Sequence, residues 1–393
     1  MEPTGQGTTT VRHRMQSPPV ITSTATLRAQ APDLAGTWIV GLDLRGIPID
    51  WAGCALAGAG FAACMFAGGD ETTVVARGAT VLPAFHSGSG SPGFDPYRIA
   101  LYTNDELMAG YVDGRPETTF DARVGARTLG RPSTLELVAR GIHDACIEAA
   151  LLRFVDDVAA PVVGLMGSHT TSRTDTAYRA TAELARDLTT AGFVVATGGG
   201  PGLMEAANLG AWMARHPPAD LDTAIGMLAP APDYETDPPG FLEAALAVRA
   251  QFPDGATSLG VPTWVYVHEP PNQFGTHIAK YFENSIRENG LLAIARGGVV
   301  FTPGGSGTAQ EIFTDAAQND YTLYDVRSPM IFLGTEHYER ERPGLLGALQ
   351  DIAAHGGWGH LVRVVDTADA VVEALRDLGP VPPTDAVPPL RRR

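Results

Sequence analysis

The second half of the chain alternates short apolar runs with amphipathic stretches. From residue 161 onward, apolar runs occur at 162–167, 193–197, 223–228, 263–267, 298–301, 330–333 and 361–365. Stretches with apolar residues at helical spacing follow several of these runs, for example at 174–191 and 367–378. Continuous apolar strands that alternate with helices are typical of a parallel sheet covered on both faces. The pattern therefore predicts an α/β domain over residues 156–378, with a doubly wound, Rossmann-like parallel sheet.

The first half of the chain is less regular and predicts a smaller domain that contains β structure. Residues 38–44 and 72–76 have strand-like patterns, and 133–157 have helical spacing. Large apolar residues recur every five positions at Trp51, Leu56, Phe61 and Phe66, with small residues two positions before the last three. This spacing resembles a pentapeptide-repeat coil, although a buried strand pair rich in glycine and alanine explains it equally well. We predict an accessory domain at 36–155 and disordered tails at 1–35 and 379–393.

Charge narrows the possible partners. The chain has 393 residues, with 44 acidic against 28 basic ones and a net charge of -16. Its single lysine, Lys280, is not preceded by the glycines of a P-loop, so the common phosphoryl-transfer machinery is absent. Binding to nucleic acid needs clustered Lys and Arg, which an acidic chain lacks. We therefore predict small-molecule partners and no nucleic acid.

Cysteine and histidine usage argues against secretion and against a metal. Three scattered cysteines make neither a disulfide framework nor a CxxC site, and the first residues contain no signal-like apolar core. The uncharged run at 51–69 is mostly alanine and glycine, so we predict no membrane association and a cytoplasmic location. The ten histidines form no His-Glu-x-x-His pair, and we predict neither a metal nor another cofactor. Lys280 lies in a charged, helix-like stretch, where we expect a solvated side chain.

Two glycine-rich loops each lie between a predicted strand and a predicted helix. Residues 198–202 read Gly-Gly-Gly-Pro-Gly, and residues 303–308 read Pro-Gly-Gly-Ser-Gly-Thr. Glycine lets the backbone approach a ligand closely, while the free N–H groups of a helix start attract an anion. Neither loop is Gly-x-Gly-x-x-Gly, which disfavours a hydride-transfer enzyme. We predict that phosphate binds at Gly199, Gly200, Gly304, Gly305, Ser306, Gly307 and Thr308, and that Thr308 caps its helix.

These loops resemble a known family. Residues 303–311, Pro-Gly-Gly-Ser-Gly-Thr-Ala-Gln-Glu, match the Pro-Gly-Gly-x-Gly-Thr-x-x-Glu signature of the LOG (Lonely Guy) family, long mislabelled as lysine decarboxylases. Residues 164–168 and 198–208 are similar to that family's other loops, and the resemblance covers about 160–375. Residues 269–272, Glu-Pro-Pro-Asn, resemble the long bacterial branch, the pyrimidine/purine nucleotide 5′-monophosphate nucleosidases.

The resemblance implies an enzyme and a substrate class. Members hydrolyse the N-glycosidic bond of nucleoside 5′-monophosphates such as AMP, releasing a free base and ribose 5-phosphate. They commonly build their sites near a dimer interface, which implies a homo-oligomer, a dimer or a tetramer. The alternative is a non-catalytic nucleotide-binding or sensing protein of the same fold.

Breaking a ribosyl bond requires a carboxylate near the anomeric carbon, to activate water and to offset positive charge. Glu311, one helical turn past the second loop, is the candidate, although residues 308–311 also read as a capping box. The resemblance implies a catalytic arginine about fifteen residues before Pro303. Arg287 lies sixteen residues before it, whereas Arg296 is much closer and near a predicted helix end.

Four further residues are candidates for ligand contacts. Ser168 follows the first predicted strand and is a candidate donor to phosphate or ribose. Glu205 follows the first glycine loop, where it would bond ribose hydroxyls or favour the first turn of the helix. Asn272, with Gln273, would read a base edge or form a turn after the two prolines.

Overall fold

The computed structural model describes residues 18–85, 91–112, 114–266 and 270–381. Its strands are β1 (Val20–Ile21), β2 (Trp38–Val40), β3 (Gly60–Ala62), β4 (Thr80–Leu82), β5 (Val162–Met166), β6 (Val194–Thr197), β7 (Ser258–Gly260), β8 (His277–Ile278), β9 (Gly298–Phe301), β10 (Met330–Leu333) and β11 (Val362–Val365). Its helices are α1 (Thr24–Gln30), α2 (Asp70–Ala76), α3 (Asn104–Leu107), α4 (Phe120–Thr128), α5 (Thr134–Val158), α6 (Thr176–Thr190), α7 (Leu203–Trp212), α8 (Pro218–Leu228), α9 (Pro238–Gln251), α10 (Asn284–Ile294), α11 (Ser306–Tyr321), α12 (Pro343–His355) and α13 (Ala368–Leu378). A π-helical segment spans Glu336–Glu341, and 3-10 turns span Pro116–Thr118, Met213–Arg215 and Gly359–Leu361.

A seven-stranded parallel sheet forms the larger part of the molecule. Its strand order is β11-β10-β9-β5-β6-β7-β8. The chain builds outward from β5 to β8, returns to place β9 beside β5, and continues outward to β11. The predicted doubly wound α/β fold is therefore confirmed. The winding reverses between β5 and β9, and sheets of this kind bind ligands at the carboxyl ends of the strands beside such a reversal.

Alternate residues of the central strands face two different helix layers. On β5, Val162 and Met166 join a core with α5, α10, α11 and α12, whereas Val163 and Leu165 join a core with α6, α7 and α13. Every residue of β5 is buried, as the continuous apolar run predicts.

Two predicted strands of this domain are wrong. Residues 223–228 lie in helix α8, where Leu221, Ile225 and Leu228 recur at helical spacing and are buried. In the run at 263–267, Thr263 forms only an isolated bridge, and Val267 lies outside the described residues. The sheet instead uses β7, whose Ser-Leu-Gly sequence is too short and too polar to stand out.

The N-terminal region is a coil of stacked turns. Strands β1 to β4 form a separate parallel sheet in that order, and Trp38 pairs with Gly60, which pairs in turn with Thr80. Isolated bridges at five-residue intervals on either side, Asp33 with Ala55 and Asp43 with Met65, stack the neighbouring faces of the turns. The five-residue pattern thus corresponds to a coil rather than to a flat strand pair. The apolar residues that point inward have a core of their own.

Three expectations for this region need correction. Residues 72–76 lie in helix α2 rather than in a strand. Residues 18–35, expected in the tail, contain β1 and α1, which extend the coil; residues 1–17 lie outside the described part. The predicted helix at 133–157 is α5, but it packs on the larger sheet, as do Phe94 and Tyr102. Within the N-terminal region, the coil thus has a core of its own, whereas α5, Phe94 and Tyr102 belong to a core of the larger sheet.

Val381, expected in the C-terminal tail, pairs with Arg327, and residues 382–393 lie outside the described part. The run at 51–69 forms turns of the coil around β3. Across the described residues, no helix combines the length and apolar character needed to cross a bilayer.

Candidate active site

Three loops meet at the reversal point of the sheet. They follow β5, β6 and β9, which are adjacent strands. The loop after β5 contains Ser168, which is partly exposed; its hydroxyl bonds the Thr170 hydroxyl at 2.9 Å and accepts the Thr170 N–H at 3.2 Å. The backbone carbonyl of Ser168 accepts the N–H of Leu203 at 2.9 Å. This hydrogen bond connects the loop to the start of α7.

The loop after β6 depends on glycine at two positions. Gly199 has φ 74° and Gly202 has φ 68°, a region that residues with a Cβ rarely adopt. A Cβ at Gly199 would lie 2.6 Å from Cδ of Pro262, and one at Gly202 would lie 2.5 Å from the Ser168 carbonyl oxygen. At these two positions the loop therefore packs directly on its neighbours and leaves no room for a Cβ.

The loop after β9 leads into α11 without a side-chain cap. The N-cap is Gly305, and no side chain among the described residues is hydrogen-bonded to the N–H groups of the first turn. Thr308, predicted as the cap, instead lies inside the first turn, buried against Gly304. The prediction is wrong because the helix begins at Ser306, earlier than the Thr-x-x-Glu pattern suggests. An uncapped helix start directs its free N–H groups toward an anion.

Glu311 faces Arg287 rather than the helix start. The alternative of a capping box fails because the cap position is Gly305. Nη1 of Arg287, from α10, lies 4.0 Å from Oε1 of Glu311, and the two side chains are 11% and 17% exposed. The structure thus brings together the two residues predicted to be catalytic, from different helices.

The surroundings of Glu311 adjust its acidity. Burial raises the pKa of this carboxyl to about 7, while the positive charge of Arg287 lowers it and the negative charge of Glu288 raises it. Glu288 is held in place by Gln310, whose Nε2 donates to it at 2.6 Å. Glu311 therefore changes protonation state near neutral pH, as an efficient general base requires.

Arg287 also touches the first glycine loop. Its Nη1 lies 3.5 Å from the position that a Cβ of Gly198 would take. Its Nε is buried and has no hydrogen-bond partner among the described residues. The competing candidate, Arg296, bonds a carbonyl at the end of α10. Arg287 is therefore the arginine that connects the two glycine loops.

Glu205 is committed to an internal ion pair. Nη2 of Arg173 lies 2.6 Å from Oε1 of Glu205, and Nε of Arg173 lies 2.8 Å from Oε2. The hydroxyl of Tyr178 donates to Oε2 at 3.0 Å, and Glu205 is 0% exposed. Both carboxylate oxygens are thus engaged within the protein, and Glu205 anchors the start of α7. The sequence contained no sign of its partner, because Arg173 lies in an irregular loop.

Asn272 braces the first glycine loop. Its backbone N–H donates to the Gly199 carbonyl at 2.9 Å, and its Nδ2 donates to the Gly200 carbonyl at 3.1 Å and to Oδ1 of Asn208 at 3.0 Å. Its Oδ1 accepts two backbone N–H groups that follow it in the chain. Asn272 therefore fixes the loop, and its amide is occupied. Glu269, which begins the Glu-Pro-Pro-Asn motif, lies outside the described residues.

A cavity of about 390 Å³ adjoins this loop through Asn272. Its walls are mainly apolar and include Tyr234 and Phe241, while Asp121 comes from α4. Gln273 also lines it, and Oε1 of Gln273 is buried without a hydrogen-bond partner in the described part of the chain. The cavity has the size of a small-molecule site.

Lys280 is not solvated. It lies two residues after β8 and is 1% exposed, with Nζ 2.5 Å from Oδ1 of Asp121 and 5.4 Å from the ring of Trp264. The expectation failed because the charged stretch is not one helix: α10 begins only at Asn284. The lone lysine joins α4 to the sheet and lies in neither glycine loop.

Two buried groups near Glu311 carry no sequence motif. Tyr338, from the π-helical segment, donates to the Thr302 carbonyl at 2.7 Å. Asp315 lies one turn after Glu311, and burial raises the pKa of this carboxyl to about 8. Neither position could be recognised from a single sequence. Within the described ranges, no group of three His, Cys, Asp or Glu side chains is arranged to hold a metal ion.

Sheet order and loop placement define a Rossmann-like α/β protein. No protein-family model matches the chain, and neither does any curated protein. Similar solved structures include the molybdenum cofactor carrier protein of Chlamydomonas reinhardtii, with 20% identity over 56% of this chain and 98% of that one and a TM-score of 0.34. The molybdenum cofactor binding protein of the phototrophic bacterium Rippkaea orientalis has 16% identity over 56% and 97%, also with a TM-score of 0.34. These similarities carry no argument about activity.

Proposed function

We propose that this chain hydrolyses the N-glycosidic bond of nucleoside 5′-monophosphates, as the LOG family does. The observation that carries the proposal is the pair of Arg287 and Glu311. An arginine and a carboxyl with a pKa of about 7 lie 4.0 Å apart, between two glycine loops at the reversal point of the sheet. The resemblance named the same two residues independently of this geometry.

The uncapped start of α11 is the proposed phosphate site. The first-turn N–H groups at Ser306, Gly307 and Thr308 receive no side-chain cap from the part of the chain that the structure describes, and the helix dipole adds partial positive charge there. Arg287 supplies a full positive charge beside the loop after β6. Backbone N–H groups and one arginine thus replace the lysine that phosphate sites often use, since Lys280 is paired with Asp121 elsewhere.

In the proposed reaction, ionised Glu311 accepts a proton from water, whose oxygen attacks the anomeric carbon. The bond from this carbon to the base nitrogen breaks, and the base leaves with the bonding electron pair and takes up a proton. The positive charge that develops on the ribose ring is offset by the carboxylate. Because Glu311 acts while ionised, the rate rises as pH passes upward through about 7.

The first experiment is incubation with a panel of nucleoside 5′-monophosphates, followed by chromatography of the released bases. We expect a free base and ribose 5-phosphate from at least one of them, and much slower cleavage of the matching nucleoside without phosphate. Equal turnover of AMP and adenosine would refute the phosphate site at α11.

A non-catalytic nucleotide-binding protein gives the opposite outcome. In that case no base is released from any monophosphate, and Glu311→Ala changes only ligand affinity.

We also propose that the chain forms a homo-oligomer, a dimer or a tetramer, by resemblance to the family. Light scattering of the purified chain at several concentrations tests this proposal. A monomer at all concentrations would contradict it.

A further inference from the structure

The residue before the second glycine loop is held from two sides. Thr302 follows β9 directly and is 2% exposed. On the side of β5, its N–H and its hydroxyl both donate to the Met166 carbonyl, at 3.0 and 2.9 Å. On the side of β10, its carbonyl accepts the hydroxyl of Tyr338 at 2.7 Å. Because this carbonyl and the nitrogen of Pro303 share one planar peptide group, its orientation sets the direction in which residues 303–308 leave the sheet.

Tyr338 reaches this peptide group because the chain turns sharply after β10. Gly334 has φ 114°, which residues with a Cβ rarely adopt, and the π-helical segment begins two residues later. The Tyr338 N–H donates to the Gly334 carbonyl at 3.1 Å. The N–H and the hydroxyl of Thr335 donate to the carboxylate of Asp366, just after β11, at 2.7 and 2.8 Å. The segment is therefore fixed at its start. Short π-helical segments of this kind are rare and often occur at functional sites.

Packing fixes the direction of the Tyr338 side chain. It is 1% exposed, and its ring centre lies 4.9 Å from that of Phe332 in an edge-to-face arrangement. Phe332 stacks in turn on Phe301, the last residue of β9, with ring centres 5.2 Å apart. The aromatic contacts therefore place the hydroxyl beside the end of β9, where Thr302 follows.

The hydroxyl of Tyr338 acts on the backbone and not on the proposed base. Burial raises the pKa of this hydroxyl, so it remains a hydrogen-bond donor through the neutral range. A hydroxyl has one proton to donate, and Tyr338 donates it to Thr302 rather than to Glu311. Without the hydroxyl, the buried Thr302 carbonyl loses this partner, which is costly away from water.

We propose that Tyr338 is a positioning residue for phosphate binding, because its hydroxyl fixes the peptide group from which residues 303–308 extend. This inference rests on the proposed phosphate site at the start of α11. The N–H groups there bind one anion together only if the loop holds them in a single direction. Tyr338 itself touches neither the phosphate nor the reacting atoms.

Tyr338→Phe tests this role, because it removes the hydroxyl and keeps the ring. We expect it to weaken the binding of ribose 5-phosphate, measured by calorimetry, by about fivefold or more. For the monophosphate that the parent chain cleaves fastest, KM should rise by a similar factor while kcat stays unchanged, since the lost contact is the same before and during the reaction. Cleavage of the matching nucleoside, which has no phosphate, should not change.

Tyr97→Phe is the matched control. Tyr97 is also buried, and its hydroxyl also donates to a backbone carbonyl at 2.7 Å, that of Pro83, which precedes the larger sheet in the chain. Both variants should lower the midpoint of thermal unfolding, but Tyr97→Phe should leave the binding of ribose 5-phosphate and KM unchanged. Thr302→Val removes the hydroxyl bond to Met166 on the opposite side of the same peptide group, and it should also weaken the binding of ribose 5-phosphate.

Binding of ribose 5-phosphate by Tyr338→Phe or by Thr302→Val as tightly as by the parent chain would overturn the proposal. So would a lower kcat and a shifted pH–rate profile at unchanged KM, because Tyr338 would then act on Glu311. If the parent chain binds ribose 5-phosphate but releases no base, the proposed hydrolysis is wrong, and weaker binding by Tyr338→Phe still supports the positioning role. A parent chain that does not bind ribose 5-phosphate contradicts both the positioning role and the phosphate site.

Discussion

Replacing Glu311 with glutamine tests the electrostatics of the site without any substrate. Burial raises the pKa of this carboxyl from 4.5 to about 7, so the folded state holds the proton more tightly than the unfolded chain does. Ionising Glu311 therefore opposes folding. The cost is absent below about pH 4.5, grows as pH rises, and is complete above about pH 7.

The magnitude follows from the difference between the two pKa values. About 2.5 pH units correspond to about 3 kcal/mol of stability lost at pH 8, and to less than about 1 kcal/mol at pH 5. Glutamine has almost the same shape and cannot ionise. Glu311→Gln should therefore be more stable than the parent chain by about 3 kcal/mol at pH 8, while it abolishes the proposed hydrolysis.

Urea unfolding of both proteins at pH 5 and pH 8 measures this difference. Glu235→Gln, at an exposed glutamate, is the matched control and should show nearly the same small effect at both pH values. If Glu311→Gln is less stable than the parent at pH 8, or if its effect does not depend on pH, the carboxyl is not held in the buried environment described above.

Three further substitutions test neighbouring parts of the site. Arg287→Met removes the positive charge that lowers the pKa of Glu311, so the pH of half-maximal hydrolysis should move upward by one unit or more in a pH–rate profile; an unchanged profile contradicts this. Gly202→Ala places a Cβ 2.5 Å from a backbone oxygen at positive φ, and should lower the stability measured in urea by at least about 1–3 kcal/mol; a neutral effect contradicts the loop geometry. Arg173→Met leaves Glu205 charged and buried, and should cost about 3–5 kcal/mol in the same assay, most of it recovered when Glu205→Gln is added; no recovery contradicts the pairing.

The fold was predictable where the sequence pattern is long and periodic. The apolar runs at β5, β6 and β9 are buried on both faces, so their composition alone identifies central strands of a parallel sheet. Helix α8 was mistaken for a strand because residues 223–228 are too few to show a helical period. The period becomes visible only when Leu221 is included with Ile225 and Leu228. Short strands such as β7 are fixed by pairing with β6, which leaves no mark on their own sequence.

Residues of the candidate site could be predicted where the proposed chemistry requires particular residue types at a fixed spacing. The glycines of the second loop and Glu311 stand in one signature, and the structure places Arg287 beside Glu311. The partners that occupy Glu205 and Asn272 were not predictable, because these contacts join residues far apart in the chain. A buried ionised carboxylate needs a partner, but the sequence does not show which residue supplies it.

The central claim is that Glu311 performs hydrolysis on a bound nucleoside 5′-monophosphate. The most direct measurement compares the parent chain with Glu311→Gln at pH 8, following base release by chromatography and nucleotide binding by calorimetry in the same samples. We predict that the parent releases base and ribose 5-phosphate in equal amounts, while Glu311→Gln still binds the nucleotide and releases none. Base release by Glu311→Gln at the parent rate, or none from either protein when both bind the nucleotide, would contradict the account.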